Sequence, residues 1–219
     1  RRQVVVLPEK PVKSLSYYLL LREHSGKAWF RDPKLHLAKP PAGACLFDGM
    51  PVVMTRAAIG GFQVRDVAAG SDFVQIDRQV LGLKLDWHTT STGNATFFDV
   101  TLQDTTGQDR AVTLLYTVAV RPDGLQWLHD PRRSMAVEPR REYLNTSDFR
   151  VGANGRLSRY PLAAVADSQQ GVAIGIDMMQ PAFFRTGYNA GTGELFLAYD
   201  IGLAPEKPSA RLRFCRYGF

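Results

Sequence analysis

The sequence predicts an all-β protein, a large antiparallel β-sandwich with few or no helices. Two positive observations carry this prediction. Apolar and polar residues alternate with a period of two in one run after another, and turn sequences rich in glycine separate the runs. The third observation is that no stretch spaces its apolar residues as an amphipathic helix requires.

The clearest pair of runs, 96–103 and 110–120, flanks the turn sequence Thr105-Thr106-Gly107. The first run places Phe98, Val100 and Leu102 on one face. The second alternates in the same way, with these residues on one face: Val112, Leu114, Tyr116, Val118 and Val120. Because Gly107 can adopt the positive φ that a tight turn needs, we expect the two runs to form a hairpin.

Further alternating runs follow along the chain. They are Leu81-Leu83-Leu85-Trp87, Leu125-Trp127-His129, Val172-Ile174-Ile176, Leu195-Leu197-Tyr199-Ile201 and Leu212-Phe214. The segment 130–145 carries too few apolar residues for a core-facing helix, so we expect a long loop there.

The chain divides into two predicted units, a short N-terminal β segment over 1–42 and the sandwich over 43–219. In the first unit, 15–21 and 26–32 have strand character. The proline-containing stretch Lys39-Pro40-Pro41-Ala42-Gly43-Ala44 then predicts an extended connector, since proline donates no ladder hydrogen bond.

Composition narrows the classes of function. With 45% apolar and 22% charged residues in 219, the chain can bury a core without a metal or a disulfide. The net charge of +6 comes from basic residues spread along the chain, which favours solvated surface arginines over a nucleic-acid site. No apolar run approaches the length of a membrane span. Cys45 and Cys215 either pair or remain free thiols, and the sequence leaves both open.

Two parts of the chain resemble parts of carbohydrate-active proteins. Residues 17–35 resemble the closing strands of jelly-roll carbohydrate-binding modules, carried by Ser25-Gly26, Trp29-Phe30 and Asp32, with Arg31 and Pro33 departing from the pattern. From about Pro51 the chain is similar to the β-sandwich region that precedes the catalytic barrel of large bacterial glycoside hydrolase-like proteins. The residues that carry this second resemblance are 109–114, Trp127, 158–162, 171–174, 184–189 and 195–203.

These resemblances imply a non-catalytic module that binds a polysaccharide or oligosaccharide, or that supports a glycoside hydrolase barrel on the same polypeptide. They also imply an extracellular or periplasmic location. Because the residues concerned form strand patterns rather than reaction signatures, the resemblance addresses the fold more directly than the function.

No catalytic or metal-binding residue is assigned. The four histidines lack metal-ligand spacing, and no serine lies in a Gly-x-Ser-x-Gly elbow. The alternative function is a self-contained carbohydrate-active enzyme, hydrolase or mutarotase-like, with its site in a sheet concavity. In the mutarotase-like form, His88 or His129 would act with a carboxylate such as Glu194. No cofactor is predicted, and a structural calcium ion stays open.

The candidate sugar-binding residues are aromatic or polar residues near loops. They are Trp127, Tyr160, Arg185, Tyr188 and Asn189. Aromatic rings offer flat apolar area to the C–H faces of sugars, and loops at the ends of a sandwich carry much of its recognition. For Trp127 and Tyr188 the alternative is core packing. For Arg185 we favour an ion pair with Asp200 on a neighbouring strand over contact with substrate.

Overall fold

The computed structural model describes residues 13–16, 18–19, 26–36, 44–53, 60–148 and 155–219. Within these residues the secondary structure is β-strand, and no helix forms, which confirms the predicted all-β class. None of the described residues belongs to a helix long and apolar enough to cross a membrane.

Two large antiparallel sheets form the body of the molecule. With strands numbered in chain order, the eight-stranded sheet runs β10 (Arg133–Ala136), β9 (Gln126–Asp130), β14 (Leu162–Ala166), β15 (Gly171–Ile176), β18 (Ser209–Gly218), β7 (Ala95–Asp104), β6 (Leu83–Thr92), β5 (Gln79–Val80). The six-stranded sheet runs β11 (Glu142–Leu144), β16 (Phe183–Asn189), β17 (Glu194–Leu203), β8 (Arg110–Ala119), β3 (Gly61–Asp66), β4 (Val74–Gln75). Two small hairpins complete the described part, β1 (Ala44–Phe47) with β2 (Met50–Val53) and β12 (Thr146–Asp148) with β13 (Arg156–Ser158).

The core lies between the two large sheets, on the faces that the alternation predicts. Leu114 and Leu197 of the six-stranded sheet and Val100 and Phe214 of the eight-stranded sheet belong to one buried cluster. The apolar sides of the strands together form one apolar face on each sheet. When the two sheets pack with these faces together, both faces are removed from water. The sequence pattern therefore predicts the inward residues of these strands correctly.

The predicted hairpin of 96–103 with 110–120 is wrong. Strand β7 pairs with β6 and β18, whereas β8 pairs with β17 and β3, so the intervening loop crosses from one sheet to the other. Asp104 holds this loop by accepting hydrogen bonds from the Gly107 amide at 2.7 Å and from Arg110 Nη1 at 2.9 Å. A turn sequence shows that the chain reverses direction, but it does not show whether the two strands pair side by side or face each other across a core.

Two other segments differ from prediction. The expected loop over 130–145 contains the short strands β10 and β11, which form because a partner strand supplies their hydrogen bonds. Exposed edge strands such as β10 need no apolar alternation. Residues 26–36 form no strand, contrary to expectation. Much of the predicted strand 15–21 and most of the connector at 39–44 lie outside the described residues, so the domain boundary stays a prediction.

Candidate functional site

The outward face of the six-stranded sheet carries a row of buried polar side chains. Because side chains alternate along a strand, Arg185 and Asn189 of β16 and Glu194 and Asp200 of β17 lie on the face opposite the core. Arg185, Asn189 and Glu194 are completely buried there. A charged residue this deep is rare unless it is paired, so the partners of each side chain define the chemistry.

Arg185 is held by two carboxylates. Its Nε and Nη2 donate to the two oxygens of Asp48 at 2.7 and 2.9 Å, and its Nη1 and Nη2 donate to Asp200 at 2.5 and 2.8 Å. Burial by itself lowers the pKa of Arg185, but the charges of Asp48 and Asp200 outweigh it and hold the pKa above its ordinary value. The predicted pairing of Arg185 with Asp200 is confirmed, and Asp48 is a partner that the sequence did not reveal.

A second group lies further along the same face. The Asn189 Nδ2 donates to Glu142 Oε1 at 3.3 Å, and the Gln63 Nε2 lies 3.5 Å from Glu194 Oε1. Glu142 and Glu194 occupy the strands on either side of Asn189, directly opposite it in the register. Two carboxylates therefore flank one amide, with their Cα atoms roughly 10 Å apart by the spacing of strands.

The β1–β2 hairpin covers this face. Its tip inserts Phe47 against Phe196, with ring centroids 5.0 Å apart, and the Asp48 amide donates to Glu142 Oε1 at 2.7 Å. Asp48 and Gly49 have positive φ values of 46° and 76°, as a tight hairpin turn requires. The buried polar row consequently binds the hairpin of its own chain and holds it across the sheet.

The structure separates the five predicted sugar-binding residues. Arg185 and Asn189 share the covered face, where Asn189 Oδ1 also accepts the Gly191 and Thr192 amides at 2.9 and 3.0 Å. Tyr188 points the opposite way, into the core, and donates to the Val120 carbonyl at 2.9 Å. Burial raises the pKa of Tyr188 above its ordinary value, so the hydroxyl stays neutral.

Trp127 also fills the core, in the other sheet, with no exposed surface. Trp127 and Tyr188 therefore pack in the core, which was the alternative to sugar binding for both residues. Among the five predicted residues, Tyr160 reaches solvent to the greatest extent, with 36% of its surface exposed, before β14.

The histidines lie away from Glu194. His88 and His129 belong to β6 and β9 of the eight-stranded sheet, whereas Glu194 lies on the outward face of the six-stranded sheet, beyond the core. The proposed pairing of either histidine with Glu194 is therefore wrong. Among the described residues, no three His, Cys, Asp or Glu side chains approach one another closely enough to hold a metal. Cys215 is a free, half-buried thiol, and the side chain of Cys45 lies outside the described set.

An exposed aromatic surface lies at one end of the sandwich, where the β6–β7 hairpin extends beyond the core. Trp87 is 43% exposed although it continues the inward face of Leu83 and Leu85. Its ring lies 5.3 Å from that of Phe62, which in turn lies 5.1 Å from that of Tyr116. We call the inward face of this overhang, with its floor of Phe62, Phe98 and Tyr116, the end groove.

Hydroxyl groups continue the end groove beyond Trp87. Thr89 and Ser91 follow Trp87 at alternate positions of β6, so they lie on the same face, and both are exposed. Ser91 Oγ lies 3.4 Å from Thr96 Oγ1 on the paired strand β7. The groove thus combines an exposed indole, an aromatic floor and a line of hydroxyls.

The alternating run Leu81-Leu83-Leu85-Trp87 predicts a core position for Trp87, because this residue ends the apolar face. A signal was nevertheless present, since the polar run His88-Thr89-Thr90-Ser91-Thr92 follows directly and has no inward apolar residue. Such a run indicates that the strand continues past the core.

No protein-family model and no curated protein matches the chain. Similar solved structures include the Slr1438 protein of Synechocystis sp. PCC 6803 and candidate aldose 1-epimerases of Klebsiella pneumoniae and Escherichia coli. Their sequence identities are 10%, 11% and 10%, and their TM-scores 0.38, 0.35 and 0.39.

The alignments cover 62%, 62% and 82% of this chain and 54%, 46% and 79% of the other chains. The matched region therefore spans about half the length of the Synechocystis and Klebsiella structures. With TM-scores below 0.5, these likenesses decide nothing about activity. The all-β sandwich is established by the sheets of this chain itself.

Proposed function

We propose that this chain is a carbohydrate-binding β-sandwich that holds an oligosaccharide in the end groove. The observation that carries the proposal is the exposure of Trp87. A tryptophan that packs one side of its ring on an aromatic floor and leaves the rest in water is already oriented, so little side-chain entropy is lost when a sugar stacks on it.

The hydroxyls beside Trp87 fit the same ligand. A sugar presents an apolar C–H face and a rim of hydroxyls, and Thr89, Ser91 and Thr96 both donate and accept hydrogen bonds. These groups lie on a paired, hydrogen-bonded hairpin rather than on an irregular loop, which fixes their spacing. Aromatic area with a few polar groups is the usual composition of a ligand site.

The test is the replacement Trp87→Ala, with binding to a panel of neutral and acidic oligosaccharides measured by isothermal titration calorimetry. We expect the affinity to fall at least about tenfold, which corresponds to ~1.4 kcal/mol, because the stacking surface is lost. The matched control is Tyr217→Ala, an equally exposed aromatic of β18 on the outward face of the same sheet. Unchanged affinity in the Trp87 variant, or an equal loss in the control, would contradict the end groove as the site.

The alternative proposal is a self-contained carbohydrate-active enzyme acting on the outward face of the six-stranded sheet. It is favoured by Glu142 and Glu194, the two carboxylates on either side of Asn189, since glycoside chemistry uses a pair of carboxylates. The hairpin tip at Phe47 and Asp48 occupies the neighbouring surface, so substrate access would require this hairpin to move.

Polarimetry of sugar mutarotation and a hydrolysis screen test this alternative. The enzyme proposal expects turnover by the purified chain and its loss in Glu194→Gln with the fold intact. Turnover that survives in this variant would remove Glu194 from the chemistry, and no turnover on any substrate of the screen would count against the enzyme.

The sequence resemblance leads us to propose also that the chain accompanies a glycoside hydrolase barrel in an extracellular or periplasmic protein. The coding sequence around this chain provides the test. The proposal expects a region of alternating strand and helix periods after residue 219 and a secretory leader before residue 1.

A further inference from the structure

We infer that the end groove recognises acidic sugars, with Arg216 binding a carboxylate of the ligand. This inference rests on the proposed function and names its ligand class. Arg216 follows Phe214 at the alternate position of β18, and its register partners are Thr96 and the buried Ile174, so it lies on the inward face of the sheet. It stands where that face leaves the core and is exposed.

Arg216 lies beside the groove floor. Burial raises the pKa of Tyr116, and the charge of Arg216 and its hydrogen bond to the tyrosine hydroxyl partly oppose that rise. The Tyr116 hydroxyl is neutral, so it does not compensate the positive charge of the guanidinium. The remaining N–H groups of the guanidinium can donate one hydrogen bond to each oxygen of a carboxylate.

Arg216 differs in its ion pairing from three other arginines of the sandwich. Arg110, Arg185 and Arg213 each contact two carboxylates. Within the described ranges, Arg216 forms no ion pair with a carboxylate. An exposed arginine without an ion-pair partner among the described residues, at the end of an aromatic groove in a chain of net charge +6, favours an anionic ligand.

The spacing of the groove favours an oligosaccharide. Trp87 is paired with Val100 of β7, and Arg216 with Thr96, four residues earlier in the same strand. Four strand residues span about 13 Å along the strands, and β6 and β18 lie on opposite sides of β7, which adds roughly 10 Å across the sheet. This separation favours two sugar rings over one. The arrangement fits a chain in which one sugar stacks on Trp87 and another presents its carboxylate to Arg216. A uronic-acid oligosaccharide has this chemistry.

The experiment compares two probes on the full chain, tetragalacturonate and its fully methyl-esterified form, by calorimetry at low salt. The ester keeps the sugar rings and removes the charge. We expect the acid to bind more tightly than the ester, and the difference to shrink as sodium chloride is added, because salt screens the exposed charge.

Arg216→Gln should lower affinity for the acid about tenfold or more and leave affinity for the ester unchanged. Arg216→Lys, which keeps the charge, should retain part of the preference. The control Arg211→Gln removes the same charge from an exposed position on the outward face of the same strand and should leave both affinities unchanged.

Three outcomes would overturn the inference: equal binding of acid and ester to the native chain, native affinity in Arg216→Gln, or an equal loss in Arg211→Gln. A single-stranded oligonucleotide that binds through Arg216 more tightly than tetragalacturonate would replace the acidic sugar with a nucleic acid. If Trp87→Ala weakens both probes while Arg216→Gln weakens neither, the carbohydrate proposal stands and the acidic preference fails. If neither probe and no other oligosaccharide binds, both fail.

Discussion

Arg185 shows how much a single residue contributes when its partners are buried with it. Its guanidinium joins strand β16, strand β17 and the tip of the β1–β2 hairpin through Asp200 and Asp48. Forming such a buried cluster stabilises the fold only modestly, because each charge loses its hydration. Removing one member costs much more, because the charge that remains has neither water nor its partner.

We therefore expect Arg185→Met to lower the free energy of unfolding by roughly 3–5 kcal/mol, since the buried Asp48 and the partly buried Asp200 would lose the guanidinium that both contact. The control Arg133→Met breaks a pair with Asp130 in which the arginine side chain is 70% exposed, and should cost less than about 1 kcal/mol. Urea denaturation measures both. Equal losses in the two variants would show that burial does not govern the strength of the Arg185 cluster.

Asp104 makes stability depend on pH in the acid range. Burial by itself raises the pKa of this carboxyl, but hydrogen bonds from Thr106, Gly107 and Gln108 outweigh it, and the pKa is lower in the folded chain than its ordinary value. The folded chain therefore takes up this proton less readily than the unfolded chain. The stabilisation is complete above the ordinary carboxyl pKa of about 3.9 and is lost as the pH falls through the folded value.

Asp104→Asn should consequently flatten the acid limb of a plot of urea midpoint against pH, with the native chain losing more stability between about pH 5 and pH 2. Asp72→Asn, at an exposed carboxylate, is the matched control and should keep the native pH profile. Parallel acid limbs in the native chain and the Asp104 variant would contradict the assignment.

At the scale of elements, strand β11 depends on a glycine in its neighbour. A Cβ on Gly187 would lie 2.4 Å from Leu144 Cδ2, 2.7 Å from the Tyr143 carbonyl oxygen and 2.8 Å from Phe196 Cζ. The second of these atoms is backbone, so it cannot move without shifting the strand. Glycine at this position allows β11 to approach β16 and to place Glu142 beside Asn189.

Gly187→Ala should therefore destabilise the fold by about 1–3 kcal/mol and raise the hydrogen-exchange rate of β11 amides. The control is Gly202→Ala in β17, where no heavy atom lies within 4 Å of the added Cβ and where we expect little change. Native exchange rates in β11 of the Gly187 variant would contradict this account of the strand.

For the whole molecule, an aromatic cluster joins the two large sheets. Phe214 of the eight-stranded sheet stacks on Phe98 at 4.7 Å and contacts Tyr116 of the opposite sheet at 4.8 Å between ring centroids. Removing the Phe214 ring would leave a cavity between the two sheets, where side chains of both sheets would lose their packing contacts.

Phe214→Ala should lower the free energy of unfolding by roughly 3–5 kcal/mol. Tyr217→Ala, three residues later on the outward face, should stay within about 0.5 kcal/mol of the native chain because its ring is nearly half exposed. Chemical denaturation measured by both fluorescence and far-UV circular dichroism provides the comparison. A loss of similar size in both variants would contradict a core that depends on Phe214.

The candidate sites were only partly predictable. The pairing of Arg185 with Asp200 could be expected because the residues are fifteen apart in adjacent alternating runs. Asp48 could not be expected, because 137 residues separate it from Arg185 and no local pattern marks a hairpin that folds across a sheet. Exposure was the least predictable property. Trp127 and Tyr188 are aromatic residues near loops, as sugar-binding residues often are, but they lie in the core, whereas Trp87 ends an apolar alternation and reaches solvent.

The sequence by itself determined the all-β class and the face of most strands that points inward. Both follow from the period of two, since neighbouring side chains of a strand must point to opposite sides. Only the tertiary structure decided that β7 and β8 belong to different sheets, that a distant hairpin supplies a carboxylate to Arg185 and that the β6–β7 hairpin overhangs the core. Pairing between strands depends on contacts between residues far apart in the chain, and alternation along one strand is the same whichever neighbour it has.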